Sequence, residues 1–344
     1  ADAEVSAAEE SSREVRVSLA AEVARTYLEL RTLQQRVVIA RANLAAQRHT
    51  AELTKIRQQA GFVSGLDAAN AEAQAATTAA QIPLLESSAR QTIHSLGLLL
   101  GMQPAALIAE LEPTAVIPQA PPEVPAGVPS DLLRRRPDIR QAEASLHAAT
   151  ARIGVATADL FPRFYLTGGA GYQSSAFQSW FDWVQRAWSI GPSMNWNLFQ
   201  SGRIQANIER QKAVAEEALL AYRQTVLSSL REVEDALVAS TAEQAHQREL
   251  ATAVAANRRA VDLAGKLYTE GQVDFLNVLQ AQGALYNSED ALVRSVGAVS
   301  TNLIALYKAL GGGWQAAADP GAQALPVAAP GQARNIIPMA SSGD

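Results

Sequence analysis

Nothing between residues 202 and 270 ends a helix. At ~1.5 Å per residue, ~69 residues make a rod of roughly 100 Å, far longer than a helix of an ordinary globular core. Proline is absent from residues 1–82 and again from 193–319, where Ala, Leu, Gln, Glu and Arg predominate. Those side chains lose little freedom in a helix. Val226, Leu230, Val233 and Leu237 recur at alternating spacings of four and three, and Val296, Val299, Leu303, Leu306 and Leu310 repeat the pattern. This is coiled-coil spacing with Ala at many seam positions, which lets helices approach closely. A 100 Å helix must lie in an elongated assembly (the length being the ~1.5 Å rise summed).

Of 344 residues, 48% are hydrophobic and 18% charged, so the chain can bury a sizeable apolar surface and is not disordered overall. Lys and Arg number 29 against 34 Asp and Glu, and the resulting −5 argues against a general nucleic-acid binder. No cysteine is present, which excludes a disulfide scaffold, a thiolate zinc site, a Cys nucleophile and an acyl-cysteine anchor within these residues. No uninterrupted apolar run is long enough for a transmembrane helix, and Ala1 opens directly into polar, helix-forming sequence with no signal peptide visible.

One internal offset, 210 residues, registers two blocks without a gap. Glu22-Val23 meets Glu232-Val233, Arg48 meets Arg258, and Leu53 meets Leu263. Gly61, Val63, Leu66 and Ala71 meet Gly271, Val273, Leu276 and Ala281, and Leu100-Gly101 meets Leu310-Gly311. Each block reads as a long helix, a break at G-x-V-x-x-L, and a return helix ending at glycine. Gly61 and Gly271 suit left-handed helix ends. Asp67 or Ser64, and Asn277 or Asp274, are candidates to cap the returning helices. Two antiparallel helical hairpins result, each with a tip at its glycine.

Between the blocks the pattern changes. Eleven of the 19 aromatic residues fall in residues 161–199, with only Arg163, Asp182 and Arg186 as charges. In residues 164–173, Phe164, Leu166, Ala170 and Tyr172 alternate with Tyr165, Thr167, Gly169, Gly171 and Gln173. In residues 188–199, Trp188, Ile190, Pro192, Met194, Trp196 and Leu198 alternate with Ser189, Gly191, Ser193, Asn195 and Asn197. About ten residues per strand, tilted near 45°, span a hydrocarbon core. Phe177, Trp180, Phe181 and Trp183 in the connector are the side chains expected at a bilayer interface. A soluble hairpin packed on a core is the alternative. Against it, no other obvious strand is available to pack on, and the polar face is small and uncharged. Since lipid tolerates only helices and closed barrels, one hairpin per chain demands oligomerisation.

Catalytic and ligand-binding patterns are lacking, so neither an enzyme, a cofactor nor a metal is expected. His49, His94, His147 and His246 sit singly in helical sequence without ligand spacing. Gly168-Gly169-Ala170-Gly171 lies inside a strand pattern with no following Lys-Ser/Thr, so it reads as barrel-wall glycine rather than a phosphate loop. Arg134, Arg135 and Arg136 precede Pro137 at a helix start and read as structural. The carboxylates of Glu234-Asp235 are adjacent on a helix and face different directions.

Several stretches carry a resemblance. They are Leu132-Leu-Arg-Arg-Arg-Pro-Asp-Ile-Arg140 with the following Gln-Ala-Glu-Ala, Ala151-Arg-Ile-Gly-Val-Ala156 with Asp159-Leu-Phe-Pro162, Tyr222-Arg-Gln-Thr-Val, Arg231-Glu-Val-Glu-Asp235, and Leu306-Tyr-Lys-Ala-Leu-Gly-Gly-Gly-Trp314. Together they make the chain similar to the TolC-like outer-membrane efflux channels, in particular their lipoprotein branch, over residues 13–314. The resemblance implies a mostly α fold of long antiparallel coiled-coil hairpins, plus a membrane hairpin contributing to a trimeric, twelve-stranded β-barrel. It implies an outer-membrane location with a helical tunnel in the periplasm. As partners it implies two further copies of the chain, a periplasmic adaptor, an inner-membrane pump and outer-membrane lipid, and no nucleic acid. Members contribute four strands each, so the first repeat's hairpin and a lipid-modified cysteine are expected to lie upstream of Ala1, making this an N-terminally incomplete version.

The expected segments are a first helical hairpin over residues 1–103, a Pro-rich connector over 104–130, a helix over 131–160, the membrane hairpin over 161–199, a second helical hairpin over 200–314 and a disordered tail over 315–344. Adaptor-docking tips are expected at Gly61, Val63, Leu66, Gly271, Val273 and Leu276, and interface aromatics at Trp180, Phe181, Trp183, Trp188 and Trp196. The resemblance also places a gate at the tips, with Tyr268 bonding Asp67, and Asp274, Asn277 and Gln280 at the constriction. Relatives that ring the aperture with carboxylates carry two acids where this chain has Asn277 and Gln280, which leaves Asp274 the nearby acid. The expected function is a passive export duct for small molecules. A type I protein-secretion duct and a periplasmic coiled-coil adaptor are the alternatives.

Overall fold

The computed structural model describes residues 1–118, 135–173, 183, 186–197 and 199–311. Its rods are α1 (Asp2–Gln59), α2 (Gly65–Leu99), α5 (Arg203–Thr269) and α6 (Phe275–Ala309), with a single turn α3 (Ile108–Leu111) and a shorter α4 (Pro137–Ala158). Two strands, β1 (Arg163–Tyr172) and β2 (Arg186–Asn195), separate the repeats. The 67 residues of α5 extend roughly 100 Å. Of the expected segments, the second part of the Pro-rich connector, from residue 119, and all of the tail lie outside the described residues.

The 210-residue offset governs the helix ends. Gln59 and Thr269 end the outgoing helices, Gly65 and Phe275 begin the returning ones, and Leu99 and Ala309 end those. Gly61 (φ 79°), Gly271 (φ 76°), Gly101 (φ 69°) and Gly311 (φ 71°) all adopt the left-handed conformation. At both tips the motif is the same: Phe62 N–H donates to Arg57 O and Gln272 N–H to Leu267 O, each at 2.9 Å. These six-to-one bonds satisfy carbonyls that the helix ends would leave unpaired. Helix α2 runs on through Pro83, whose missing N–H removes one ladder bond.

Helix α1 is the spine. It packs along α2 and α6 and, near its N-terminal end, on α4, which also packs on α5. Among the described residues the buried groups form four small clusters spaced along the rods rather than one core. They centre on Leu30, Ile93 and Leu96, on Ala40, Leu44, Ile82 and Tyr286, on Ala71, Tyr268, Phe275 and Val278, and on Val233 and Ala309. Helices side by side in a strip can bury only a stripe each, so the packing is seam-like.

The two repeats are joined through α1 and α6. Arg36 Nε donates to Asp290 Oδ1 at 2.6 Å, Asn43 to Glu289 at 3.0 Å, and Tyr286 Oη to Gln81 Oε1 at 2.6 Å. Burial, and then the Asp290 carboxylate, push the Tyr286 phenol above its ordinary pKa, so it stays a donor. Beside this set α1 and α6 leave no room for a side chain: a Cβ added at Gly297 would collide with the Thr32 side chain. Gly297→Ala is therefore expected to cost about 1–3 kcal/mol by overpacking. Thr32→Ala in the same chain should recover most of it, measured as paired shifts in denaturant midpoint.

Strands β1 and β2 pair antiparallel from Arg163↔Asn195 to Tyr172↔Arg186. The register sets Phe164, Leu166, Gly168 and Ala170 against Met194, Pro192, Ile190 and Trp188, so the apolar positions of both strands share one face. The strand limits differ from the expected ones. β2 starts two residues earlier, at Arg186, because that residue closes the ladder with Tyr172, and it ends at Asn195. Trp196 and Phe199 therefore lie beyond the strand.

Candidate functional site

The chemistry-bearing positions collect at two ends of the long helices. The first is the pair of glycine tips. Ser64 caps α2 as half of a reciprocal pair: its hydroxyl accepts from Asp67 N–H and the Asp67 carboxylate accepts from Ser64 N–H, both at 3.2 Å. Both residues proposed for this cap take part in it. The second tip departs from expectation. Asp274 occupies the N-cap position without a side-chain bond, and Asn277 donates to the Asp274 carbonyl at 3.3 Å instead of capping.

Tyr268 is 8% exposed and packs its ring on Phe275, centroids 5.3 Å apart and tilted 54°. The Arg57 guanidinium covers the same ring at 4.7 Å. Ala51, Ala71, Val63 and Val273 complete the cluster. The expected Tyr268–Asp67 bond is not made within the chain. The Tyr268 hydroxyl is buried without a partner among the described residues, and Asp67 is committed to its cap. Val63 and Val273 thus face inward, while Leu66, Leu276 and Phe62 are exposed. Asp274, Asn277 and Gln280, three residues apart, are all exposed along the first turns of α6. Gly61 and Gly271 are exposed turn residues with open space around them.

Sequence reasoning missed Phe275, Phe62 and Arg57. The repeat held a signal for two aromatics. Tyr268 and Phe275 stand 210 residues after Gln58 and Gly65, so the second tip supplies rings where the first offers a Gln and a Gly.

The second end is the β hairpin. Phe164, Leu166, Trp188, Ile190 and Met194 are all exposed, Trp188 at 77%. An apolar face this open requires a cover other than this chain's described residues. Trp183 is exposed under the Arg186 guanidinium, and Trp196 Nε1 donates to Leu160 O at 3.2 Å, tying the hairpin to the end of α4. Trp180 and Phe181 lie outside the described residues.

Where α1, α4, α5 and α6 meet, Arg136 fixes the joint. It donates to Ala309 O at 2.9 Å, to Asp138 at 2.7 and 3.0 Å, and to Glu232 at 2.7 Å. Burial opposes its charge, but the hydrogen bonds it donates to Asp138 and then Glu232 outweigh that and raise its pKa above the ordinary value. The arginine before Pro137 is thus a structural clamp, as its place at a helix start suggests.

A family model described as "Outer membrane efflux protein" matches residues 1–102 and 128–312. Nodulation protein T of Rhizobium leguminosarum bv. viciae is 33% identical over 301 residues, 88% of this chain and 62% of that protein. The pyoverdine export outer membrane protein OpmQ of Pseudomonas aeruginosa is 36% identical over 88% of this chain and 63% of its own length. The solved outer-membrane channel OprN superposes with a TM-score of 0.85 at 39% identity, over 91% of this chain and 70% of that one. The chain thus spans a little under two thirds of these two curated relatives. Matched along nearly all its described length, in sequence and in fold, the chain belongs to the outer membrane efflux protein family.

Proposed function

We propose that the chain is the outer-membrane duct of an export system, a passive and non-enzymatic conduit whose energy comes from a partner pump. The observation that carries the reading is the hairpin's exposed apolar face, set at the opposite end of a roughly 100 Å helix from the glycine tips. That face suits lipid, and the face of Thr167, Gly169, Ser189, Gly191 and Ser193 suits water. Two strands do not close a wall, so copies of the chain complete it as a trimeric barrel. Small-molecule cargo follows the relative whose printed role is pyoverdine export. The α1–α2 and α5–α6 hairpins form the periplasmic tunnel, and a periplasmic adaptor docks at the exposed tip residues Phe62, Leu66 and Leu276.

The tips are the gate. Asp67, Asp274, Asn277 and Gln280 set its polar rim, and the Tyr268 ring holds it shut. The complete channel in planar bilayers is expected to conduct severalfold more as Tyr268→Ala, while Tyr268→Phe behaves like the parent. Equal gains from both variants would return the role to the hydroxyl and the Asp67 latch. No gain from either would remove the tip gate.

A further inference from the structure

The core between α1, α2 and α6 changes character along its length. From Leu30 toward the tip the buried residues of α1 are Leu30, Arg31, Gln34, Val37, Ala40, Leu44, Gln47 and Thr54. Arg31 and Gln34 donate to the Pro113 and Leu111 carbonyls at the end of α3, at 2.9 and 2.7 Å; from Val37 to Leu44 the buried residues are aliphatic, and α2 answers with Ile82. Toward the tip the stripe holds Gln47 and Thr54, 3% and 0% exposed, and α2 answers with Ala71, Ala75 and Thr78. Thr54 is satisfied by its own helix, its hydroxyl donating to Thr50 O at 2.8 Å. Gln47 is not: its Oε1 and Nε2 are both buried without a partner among the described residues. One turn along α1, Gln282 of α6 donates to Thr50 Oγ1 at 3.0 Å, while its own Oε1 is buried without a partner among them. Ala51 and Ala75 beside this segment also line an open groove of about 670 Å³ between α1 and α2.

An amide offers two donors and two acceptors, and leaving them unmade in a protein interior is expensive. Buried polar groups without a protein partner are met by internal water. A wet seam also parts more easily than a dry one, because separating small and hydrated groups exposes little apolar surface. We propose that the tip-proximal segment of this core, from Gln47 to the glycines, holds internal water on the Gln47 amide and Gln282 Oε1. This hydrated segment is the part that separates when the tips open. The dry layer of Leu44, Ile82 and Tyr286, with the Arg36–Asp290 ion pair beside it, is the pivot. The proposal rests on the tip-gate reading for its second half.

The test uses the complete assembled channel. Gln47→Leu, which expels the water and fills the seam, is expected to raise the melting temperature by about 2–4 °C. Amides of residues 47–58 should exchange faster than those of residues 30–44 in the parent, and the difference should shrink in Gln47→Leu. A lowered melting temperature, or equal exchange in the parent, overturns the hydrated segment. In the Tyr268→Ala background, Gln47→Leu should cut the raised conductance severalfold. Unchanged conductance there overturns the parting segment, whereas no raised conductance in Tyr268→Ala itself indicts the gate reading instead.

Discussion

Arg136→Ala is expected to destabilise the chain by about 3 kcal/mol, read as a shift in the denaturant midpoint. One guanidinium serves the last carbonyls of α6 through Ala309, the first turn of α4 through Asp138, and α5 through Glu232. Alanine would leave that carbonyl without its donor, take the guanidinium from Glu232 and leave Asp138 only the Ile139 N–H. Glu232 is half exposed and regains water, which places the cost at the low end for a broken buried pair. Arg136→Lys should recover less than half, because an ammonium cannot reach three directions as a fork does. A loss below about 1 kcal/mol for alanine would mean that the joint is held by packing alone.

The second large effect is a contrast between neighbours on β2. Ile190→Arg places a charge on the apolar face opposite Gly168, and Ser189→Arg places one on the small polar face opposite Gly169. Arginine facing lipid near the bilayer midplane costs about 2–4 kcal/mol, whereas lumen positions tolerate charge and tune selectivity. Ile190→Arg is expected to lose most membrane-inserted channel. Ser189→Arg should insert normally and shift reversal potential toward anions in a salt gradient. Equal insertion of the two would sink the two-faced reading of the hairpin.

Much of this was legible in the amino acids because it depends on local rules. Gly61 and Gly271 mark the tips since a left-handed residue there suits glycine, and the repeat copies both sides of the tip and the end of the return helix at 210 residues. Alternation placed the apolar face of the hairpin correctly, but its limits depended on which residue closes the ladder, so β2 began at Arg186 and stopped short of Trp196. The Ser64–Asp67 cap was readable at short range. At the second tip the expected Asp274 takes the N-cap position, but its side chain makes no cap bond and Asn277 turns back to the Asp274 carbonyl.

Contacts between distant segments were not legible. Arg36 and Asp290 are 254 residues apart, and nothing in either neighbourhood names the other. The same holds for the packing of Tyr268 and Phe275 against Ala71 and Arg57, which belong to the other repeat. The amino acids by themselves determined long helices, two glycine tips and a two-faced hairpin, since periodicity and backbone freedom act within a few residues. Only the tertiary structure decided which polar side chains the seams enclose without partners, because burial is set by neighbours that the chain brings together across hundreds of positions.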